Sequence, residues 1–166
     1  MRFFALIILI LLIPLSILIS LLIYFPSRKN IFFKQIRIGK DKTEFLIYKF
    51  KTMENNEITK IGRYLRKLGL DEIPQLLNII KNEMAFVGPR PLTEFDINRL
   101  SWNKKKYNHR WSVKPGITGI AQLTKICDAN LSLKNDLYYV ENKNFILDFK
   151  LIIKSFVVPF IGKHTK

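Results

Sequence analysis

A single cysteine, Cys127, and two histidines, His109 and His164, are all this chain of 166 residues offers toward disulfides or zinc sites. One thiol closes no disulfide within the chain, so nothing in the sequence demands an oxidising compartment. Two histidines fall short of a zinc cluster. With no histidine placed beside it, Cys127 reads as a small buried thiol and not as a nucleophile. Negative charge is also scarce: 13 acidic residues stand against 28 basic ones, a formal net charge of +15, and none of the acidic residues precedes Asp41. Such an imbalance predicts an anionic partner, whether nucleic acid, acidic lipid headgroups or a phosphorylated substrate. Solvated lysines that merely keep the chain soluble are the plain alternative. The length allows one domain with a real core and is short for two. No internal repeat or low-complexity tract is present.

What the chain does have is one long apolar run. Phe3 to Phe25 is interrupted only by Pro14, Ser16 and Ser20. As a straight helix it would reach about 35 Å, enough for a bilayer core. A cleaved leader fits poorly, because Tyr24-Phe25-Pro26 offers no small-residue cleavage site. Two readings stay open: a plain spanning helix, or a re-entrant one that enters and leaves by the same face. Pro14 removes a backbone hydrogen bond mid-segment and bends the helix, and Ser16 is placed to re-satisfy a freed carbonyl. Arg2 before and Arg28-Lys29 after put basic residues on both flanks, which the positive-inside tendency satisfies if both ends are cytoplasmic. The expected division is an anchor over 1–27 and a membrane-associated catalytic domain over 28–166.

Beyond the anchor, 32–38 and 45–50 are short, aromatic and β-branched. The turn-rich Gly39-Lys40-Asp41-Lys42 between them predicts a β-hairpin. Ile58, Ile61, Leu65 and Leu68 recur at helical spacing among Lys60, Arg63, Arg66 and Lys67, a basic amphipathic helix. A second helix is expected from Asp71, with Asp71 as N-cap, Glu72 in the first turn and Pro74 tolerated that early. Val87-Gly88-Pro89-Arg90-Pro91 cannot be helical. Leu92 to Trp111 reads as a polar helix, 113–119 as a turn-rich loop, and 136–142 and 146–158 as helices, the last apolar enough to rest on a membrane.

Asp71 and Glu72 are neighbouring carboxylates directly after a cluster of bases. The plain account is an N-cap followed by a dipole-friendly Glu. Their company points further. Arg90, fixed between two prolines, presents a planar fork suited to phosphate. Adjacent carboxylates also suit Mg²⁺, which takes one or two of them together with substrate phosphates. These are the parts of phosphoryl transfer, in which positioning and charge neutralisation dominate.

Leu70-Asp71-Glu72-Ile73-Pro74-Gln75-Leu76-Leu77-Asn78, followed by Val87-Gly88-Pro89-Arg90-Pro91-Leu92, resembles the bacterial sugar transferase family, the monotopic polyprenyl-phosphate glycosyl-1-phosphate transferases. Lys49-Phe50-Lys51-Thr52-Met53 is similar to that family's Lys-Phe-Arg-Thr-Met, and Gln35-Ile36-Arg37-Ile38-Gly39 to its Gln-x-Arg-Val-Gly. Lys114-Pro115-Gly116-Ile117-Thr118-Gly119-Ile120-Ala121-Gln122 resembles its Arg-Pro-Gly-Ile-Thr-Gly-x-Ala-Gln. Asp136-Leu137-Tyr138-Tyr139 resembles its late Asp-x-Tyr-Tyr. The likeness runs along nearly the whole chain, and the broken apolar stretch suits the family's helix–break–helix anchor.

The resemblance implies that Asp71 attacks the phosphorus nearest the sugar of a UDP-sugar, releasing UMP, and that a polyprenyl (undecaprenyl) phosphate then takes the phosphosugar. Glu72 would orient the reaction or share Mg²⁺ with Asp71, and Arg90 would neutralise phosphate. Lys49, Lys51, Lys114 and Asp136 are further phosphate- or substrate-binding candidates. The departures spare the dyad: Ser27-Arg28-Lys29-Asn30 replaces a Ser-Pro-Gly-Pro, Leu68-Gly69 replaces a Thr-Ser, and Lys51 and Lys114 replace arginines. They bear on donor preference and efficiency. The partners implied are the UDP-sugar, the polyprenyl phosphate and membrane lipids, with no nucleic acid; self-association into a homo-oligomer is left open. The location implied is the cytoplasmic face of the bacterial inner membrane, at the first membrane step of glycan assembly. Two rivals remain: an anchored nucleic-acid-binding module, which has no use for Asp71-Glu72, and a non-catalytic scaffold, which has no need of a full dyad with Arg90. The fold expected is α+β: a membrane-embedded, Pro-broken helix, a small β-hairpin, and several helices around the active site.

Overall fold

The computed structural model describes residues 1–28, 30–124 and 128–161. Cys127, Lys29 and His164, on which sequence-based expectations were stated, lie outside them. Helices dominate and the strands are short, as an α+β chain requires. The chain separates into two compact units, one of residues 1–35 and 46–82, the other of residues 36–45 and 83–166.

The first unit opens with helix α1 (Arg2–Leu11) and helix α2 (Ile13–Ser27). The two are bent by 60° at the break. The break falls at Leu12, two residues before Pro14, which leaves Pro14 in the first turn of α2 where its missing N–H has no partner to lose. Ser16 does not re-satisfy a carbonyl; its buried Oγ has no hydrogen-bond partner, and it is Ser20 Oγ that donates to Ser16 O at 2.7 Å. Among the described residues no single helix is long and apolar enough to cross a membrane, but this bent pair meets that test jointly. Both helices are apolar almost all round and leave Phe3, Leu11 and Phe25 largely exposed, the pattern of a helix made for an apolar surrounding.

Strand β1 (Phe32–Ile38) pairs with β2 (Glu44–Phe50) as a two-stranded sheet whose far end, 36–45, is counted in the second unit. A smaller hairpin follows, β3 (Met53–Glu54) with β4 (Glu57–Ile58), turned by Asn55 and Asn56 at φ of 50° and 63°. Asparagine tolerates that left-handed backbone, which the tight turn demands. Helix α3 (Lys60–Leu68) starts at Thr59, whose Oγ1 accepts from Gly62 N at 2.9 Å. It ends at Gly69 with φ of 70°. Of its expected apolar stripe only Leu65 is buried, while Ile58 and Leu68 are exposed. A 3-10 helix, Leu70–Gln75, then leads into the short helix α4 (Leu76–Ile80), against which α1 packs.

In the second unit β5 (Ala85–Val87) and β6 (Gly116–Thr118) pair in parallel, Ala85 beside Gly116 and Val87 beside Thr118. The segment expected as a loop at 113–119 therefore contains a strand. Between them lie helix α5 (Glu94–Arg99), capped by Thr93, and a 3-10 helix, Lys105–Ser112. These replace the single polar helix expected over 92–111. In one continuous helix Trp102 and Trp111, nine residues apart, would point in opposite directions. Ser101, at φ of 55°, breaks the run and lets both enter the same core with Ile38, Ile97 and Leu133. Helix α6 (Ile120–Leu123), helix α7 (Ala129–Asn142) and helix α8 (Phe145–Ile161) follow. Tyr139 and Leu151 bury against Val87 in a second apolar cluster.

Candidate active site

The dyad belongs to the first unit. Asp71 is not an N-cap: Gly69 ends α3 in the left-handed region, α4 starts only at Leu76, and Asp71 and Glu72 ride on the 3-10 turn between. Asp71 is only 8% exposed. Burial and the adjacent Glu72 raise its pKa above the ordinary carboxylate value, while Lys49 and Arg66 pull the other way. Glu72 is half-buried and forms an ion pair with Lys49 from β2. Arg66, in the last turn of α3, donates through Nε to Thr52 Oγ1 at 2.8 Å. Lys51, between Lys49 and Thr52, lines two cavities, of about 490 and 370 Å³.

The 3-10 turn is pinned from behind. Asn78 is fully buried; its Nδ2 donates to Leu46 O at 2.7 Å and its Oδ1 accepts from Tyr48 N at 3.2 Å. The side-chain amide thus occupies β2 backbone groups, fixing α4 against the strand that carries Lys49. Gly62, in α3, sits where a Cβ would come within 2.2 Å of Thr52 O, so only glycine lets α3 approach that chain.

As a donor set for a hard divalent cation, Asp71 and Glu72 are two carboxylates near enough to raise the proton affinity of one, with oxygen donors only. No group of three or more His, Cys, Asp or Glu able to hold a metal exists among the described residues. Two neighbouring carboxylates fit Mg²⁺, which takes one or two of them together with waters and phosphate oxygens.

In the second unit the Val87–Leu92 run is held by its carbonyls. Val87 O accepts from Tyr139 Oη at 3.0 Å, Gly88 O from Gln122 Nε2 at 3.4 Å and Pro89 O from Gly116 N at 3.0 Å. Arg90 O accepts from Arg110 Nη2 at 2.8 Å, Pro91 O from Arg37 Nη1 at 3.2 Å and Leu92 O from Ile38 N at 2.9 Å. Two prolines remove N–H donors and forbid a helix, so each carbonyl finds its donor elsewhere. The Arg90 side chain is left exposed. Its charge, after burial, helps lower the pKa of Arg37, with Asp96 opposing.

Asp136, expected among the substrate-binding groups, is 2% exposed and engaged by Arg110, with Nε and Nη2 at 2.9 and 2.8 Å from Oδ2. Arg110 lies between the rings of Trp102 and Trp111, at 5.2 and 4.5 Å from their centroids. Lys114 is half-buried beside Pro115. The structure therefore groups Asp71, Glu72, Lys49 and Lys51 in one unit and Arg90, Lys114 and Asp136 in the other. Arg66, Arg37 and Arg110 were not anticipated as part of either group. Arg37 had a signal, its place in Gln35-Ile36-Arg37-Ile38-Gly39. Arg66 is hidden among the bases of α3, and Arg110 has no local pattern at all.

Compared with known proteins, residues 2–162 match the sequence model described as "Bacterial sugar transferase". The chain is 39% identical over 136 residues to the "Uncharacterized sugar transferase EpsL" of Bacillus subtilis (strain 168), covering 74% of this chain and 66% of that protein. It is 32% identical over 161 residues to "UDP-N-acetylgalactosamine-undecaprenyl-phosphate N-acetylgalactosaminephosphotransferase" of Aeromonas hydrophila, covering 86% of this chain and 38% of that one. Identity is 31% over 179 residues to the "UDP-glucose:undecaprenyl-phosphate glucose-1-phosphate transferase" of Klebsiella pneumoniae, covering 95% and 38%. The chain thus spans just under two thirds of the first relative and well under half of the other two.

Proposed function

Because the chain belongs to the bacterial sugar transferase family, we propose that it moves a sugar-1-phosphate from a UDP-sugar onto a membrane polyprenyl phosphate. The observation that carries this reading is the Asp71–Glu72 pair on a 3-10 turn, Asp71 buried and Glu72 half-buried, with the charges of Lys49 and Arg66 acting on it. The names of relatives from Aeromonas and Klebsiella, which specify undecaprenyl phosphate as acceptor, support the substrate class.

On this reading an Asp71 carboxylate oxygen attacks the phosphorus nearest the sugar. The new bond is Asp71 O–P; the bond broken joins that phosphorus to the oxygen bridging the two phosphates, and UMP leaves with the electron pair. An oxygen of the polyprenyl phosphate then attacks the same phosphorus and displaces the Asp71 carboxylate, giving a polyprenyl diphosphate sugar and the free enzyme. A raised proton affinity makes Asp71 the better nucleophile once ionised. Lys49 holds Glu72 in place. Asp71 and Glu72 would hold Mg²⁺, which when bound supplies charge neutralisation to the phosphates. Arg90 and Lys114 are the phosphate-contacting candidates of the second unit, Arg90 as a fork and Lys114 as a point charge.

The bent pair α1–α2 serves as the membrane anchor, both its ends at the cytoplasmic face of the bacterial inner membrane, with 28–166 as the catalytic part. The work is a first membrane step in building a bacterial glycan. The test is UMP release from UDP-sugars with Mg²⁺. With donor alone the full chain should release up to about one UMP per site and gain a sugar-phosphate's mass on the peptide containing Asp71. UMP release that strictly needs the lipid, with no adduct, would make Asp71 a metal ligand and the reaction a direct transfer.

A further inference from the structure

The cavity of about 370 Å³ bounded by the end of α2, by β3 and by the start of α3 has a composition the dyad chemistry does not use. Leu22, Ile23 and Pro26 form one wall and Met53 and Ile61 another, while Lys51 and Lys60 stand among its lining residues. Its size is that of a small-molecule site. Among the described residues Glu54 is the one carboxylate lining it, so two ammonium groups leave its polar part net positive. Apolar walls with a cationic edge fit an anionic amphiphile. A nucleotide sugar, polar throughout, gains nothing from burying its groups against Leu and Ile.

We propose that this cavity seats the lipid acceptor: the phosphate-proximal stretch of an isoprenoid chain lies between α2 and α3, and its phosphate monoester is met by Lys51. The inference deepens the function proposed above and rests on it. Two connections join the cavity to the dyad. Lys51 N donates to Ile31 O at 2.8 Å, which carries the β1–β2 pairing one residue past β2. In extended chain, alternate residues share a side, so Lys51 and Lys49 flank buried Phe50 on one side. Lys49 is ion-paired with Glu72. Thr52, next along, receives Arg66, whose charge reaches Asp71. The wall supplied by α2 lies at the end of the apolar pair, just before Arg28, where a chain drawn from a bilayer would first meet the protein.

The test uses the full chain in detergent or nanodiscs and two readouts. The first is photolabelling with farnesyl phosphate carrying a terminal diazirine, which needs no turnover. Label should map to 22–26 or 53–61 and be competed by unlabelled farnesyl phosphate but not by farnesol or phosphatidylglycerol. The second is the KM for polyprenyl phosphate. Ile61→Trp, which fills the cavity, should raise it at least about tenfold, as filling or emptying an apolar pocket typically does. Met53→Trp, at a more exposed wall position, gives a second variant should the first fold poorly. Tyr64→Ala, exposed on α3 outside the cavity, should leave the KM unchanged. Label elsewhere with KM unmoved in both Trp variants overturns the inference. So does equal competition by phosphatidylglycerol, which would make the cavity a site for bulk lipid. Absence of UMP release in the wild type even with UDP-sugar, Mg²⁺ and polyprenyl phosphate together overturns the function itself, whatever the label shows.

Discussion

Removing Arg110, which is buried, should destabilise this protein strongly, and the size of the effect follows from its surroundings. Arg110 and Asp136 are each 2% exposed and meet at 2.8 Å. Deleting one partner of a buried pair strands the other charge, at about 3–5 kcal/mol. Arg110→Ala also takes the donor from Arg90 O and the cation from between two indoles. For a chain of this size each kcal/mol moves Tm by roughly 2–4 °C, so the melt should fall by roughly 6–20 °C. The deficit has a pH signature. Burial already raises the pKa of Asp136 and Arg110 opposes that rise; without Arg110 it rises further. A folded-state pKa above the unfolded one means the fold holds a proton the unfolded chain releases, so the variant loses stability as pH rises and regains it as pH falls. Thermal melts of the full chain in detergent at several pH values read this directly. Arg110→Met with Asp136→Leu removes both charges and should melt near the wild type or above it. That double variant still lacks the donor to Arg90 O, so its KM for the nucleotide sugar should stay raised. An Arg110→Ala protein melting within about 4 °C of the wild type, less than any loss of 3 kcal/mol would allow, would refute the energetic argument. Full recovery of KM in the double variant would show that Arg110 supports the fold alone.

Asp71→Asn should abolish turnover and the adduct while raising stability at neutral pH. Burial holds the Asp71 pKa above its unfolded value, so the ionised carboxylate weakens the fold as pH rises through that window, and an amide does not; melts at pH 5 and 8 should show the variant's advantage growing with pH. Glu72→Gln should cripple turnover in a protein that stays folded, measured as UMP release. Gly116→Ala places a Cβ 2.1 Å from Gly88 N and should cost at least about 1–3 kcal/mol by denaturant titration, because the obstacle is backbone and cannot swing away. Cysteine labelling at Arg2→Cys and Arg28→Cys, with Cys127 replaced, should find both ends of the anchor on the cytoplasmic face, and Pro14→Ala should shift Arg2→Cys toward the outer one.

The local parts of this structure were legible. Aromatic and β-branched runs around Gly39–Lys42 marked the first hairpin, and Asp71-Glu72 with Val87–Leu92 marked the two groups of polar residues. Long-range pairing was not. Nothing local distinguishes 116–118 as a strand; β6 exists because β5 lies beside it and because Gly88 and Gly116 let two backbones touch. The Leu92–Trp111 stretch has helical composition, yet two tryptophans on opposite helical faces cannot share one core, and that conflict appears only once the core is known. Asp71 looked like an N-cap because Asp usually is one. Here Gly69 closes α3 one residue before the 3-10 turn begins, so the chain turns without needing that cap. The motif around Asp136 carries no sign of its ion pair with Arg110, which has no distinguishing local pattern.

The two buried aspartates differ in what is bonded to them. Both are withdrawn from water, and burial raises the pKa of each. Asp136 answers that cost with a direct guanidinium contact, two nitrogens of Arg110 meeting its Oδ2. Among the described residues Asp71 has no side chain bonded to it: Lys49 is committed to Glu72 and Arg66 to Thr52, and both reach Asp71 only through their fields. The strongest charge acting on it is the like charge of Glu72. A carboxylate in that position keeps free lone pairs and gains from any cation or electrophilic phosphorus brought to it. Direct pairing of Asp71 with Arg66 would stabilise the fold and remove that capacity. By tying each cation to a neighbour, the chain offsets part of the burial cost and leaves the rest on the Asp71 carboxylate, the balance the proposed function requires of a nucleophile.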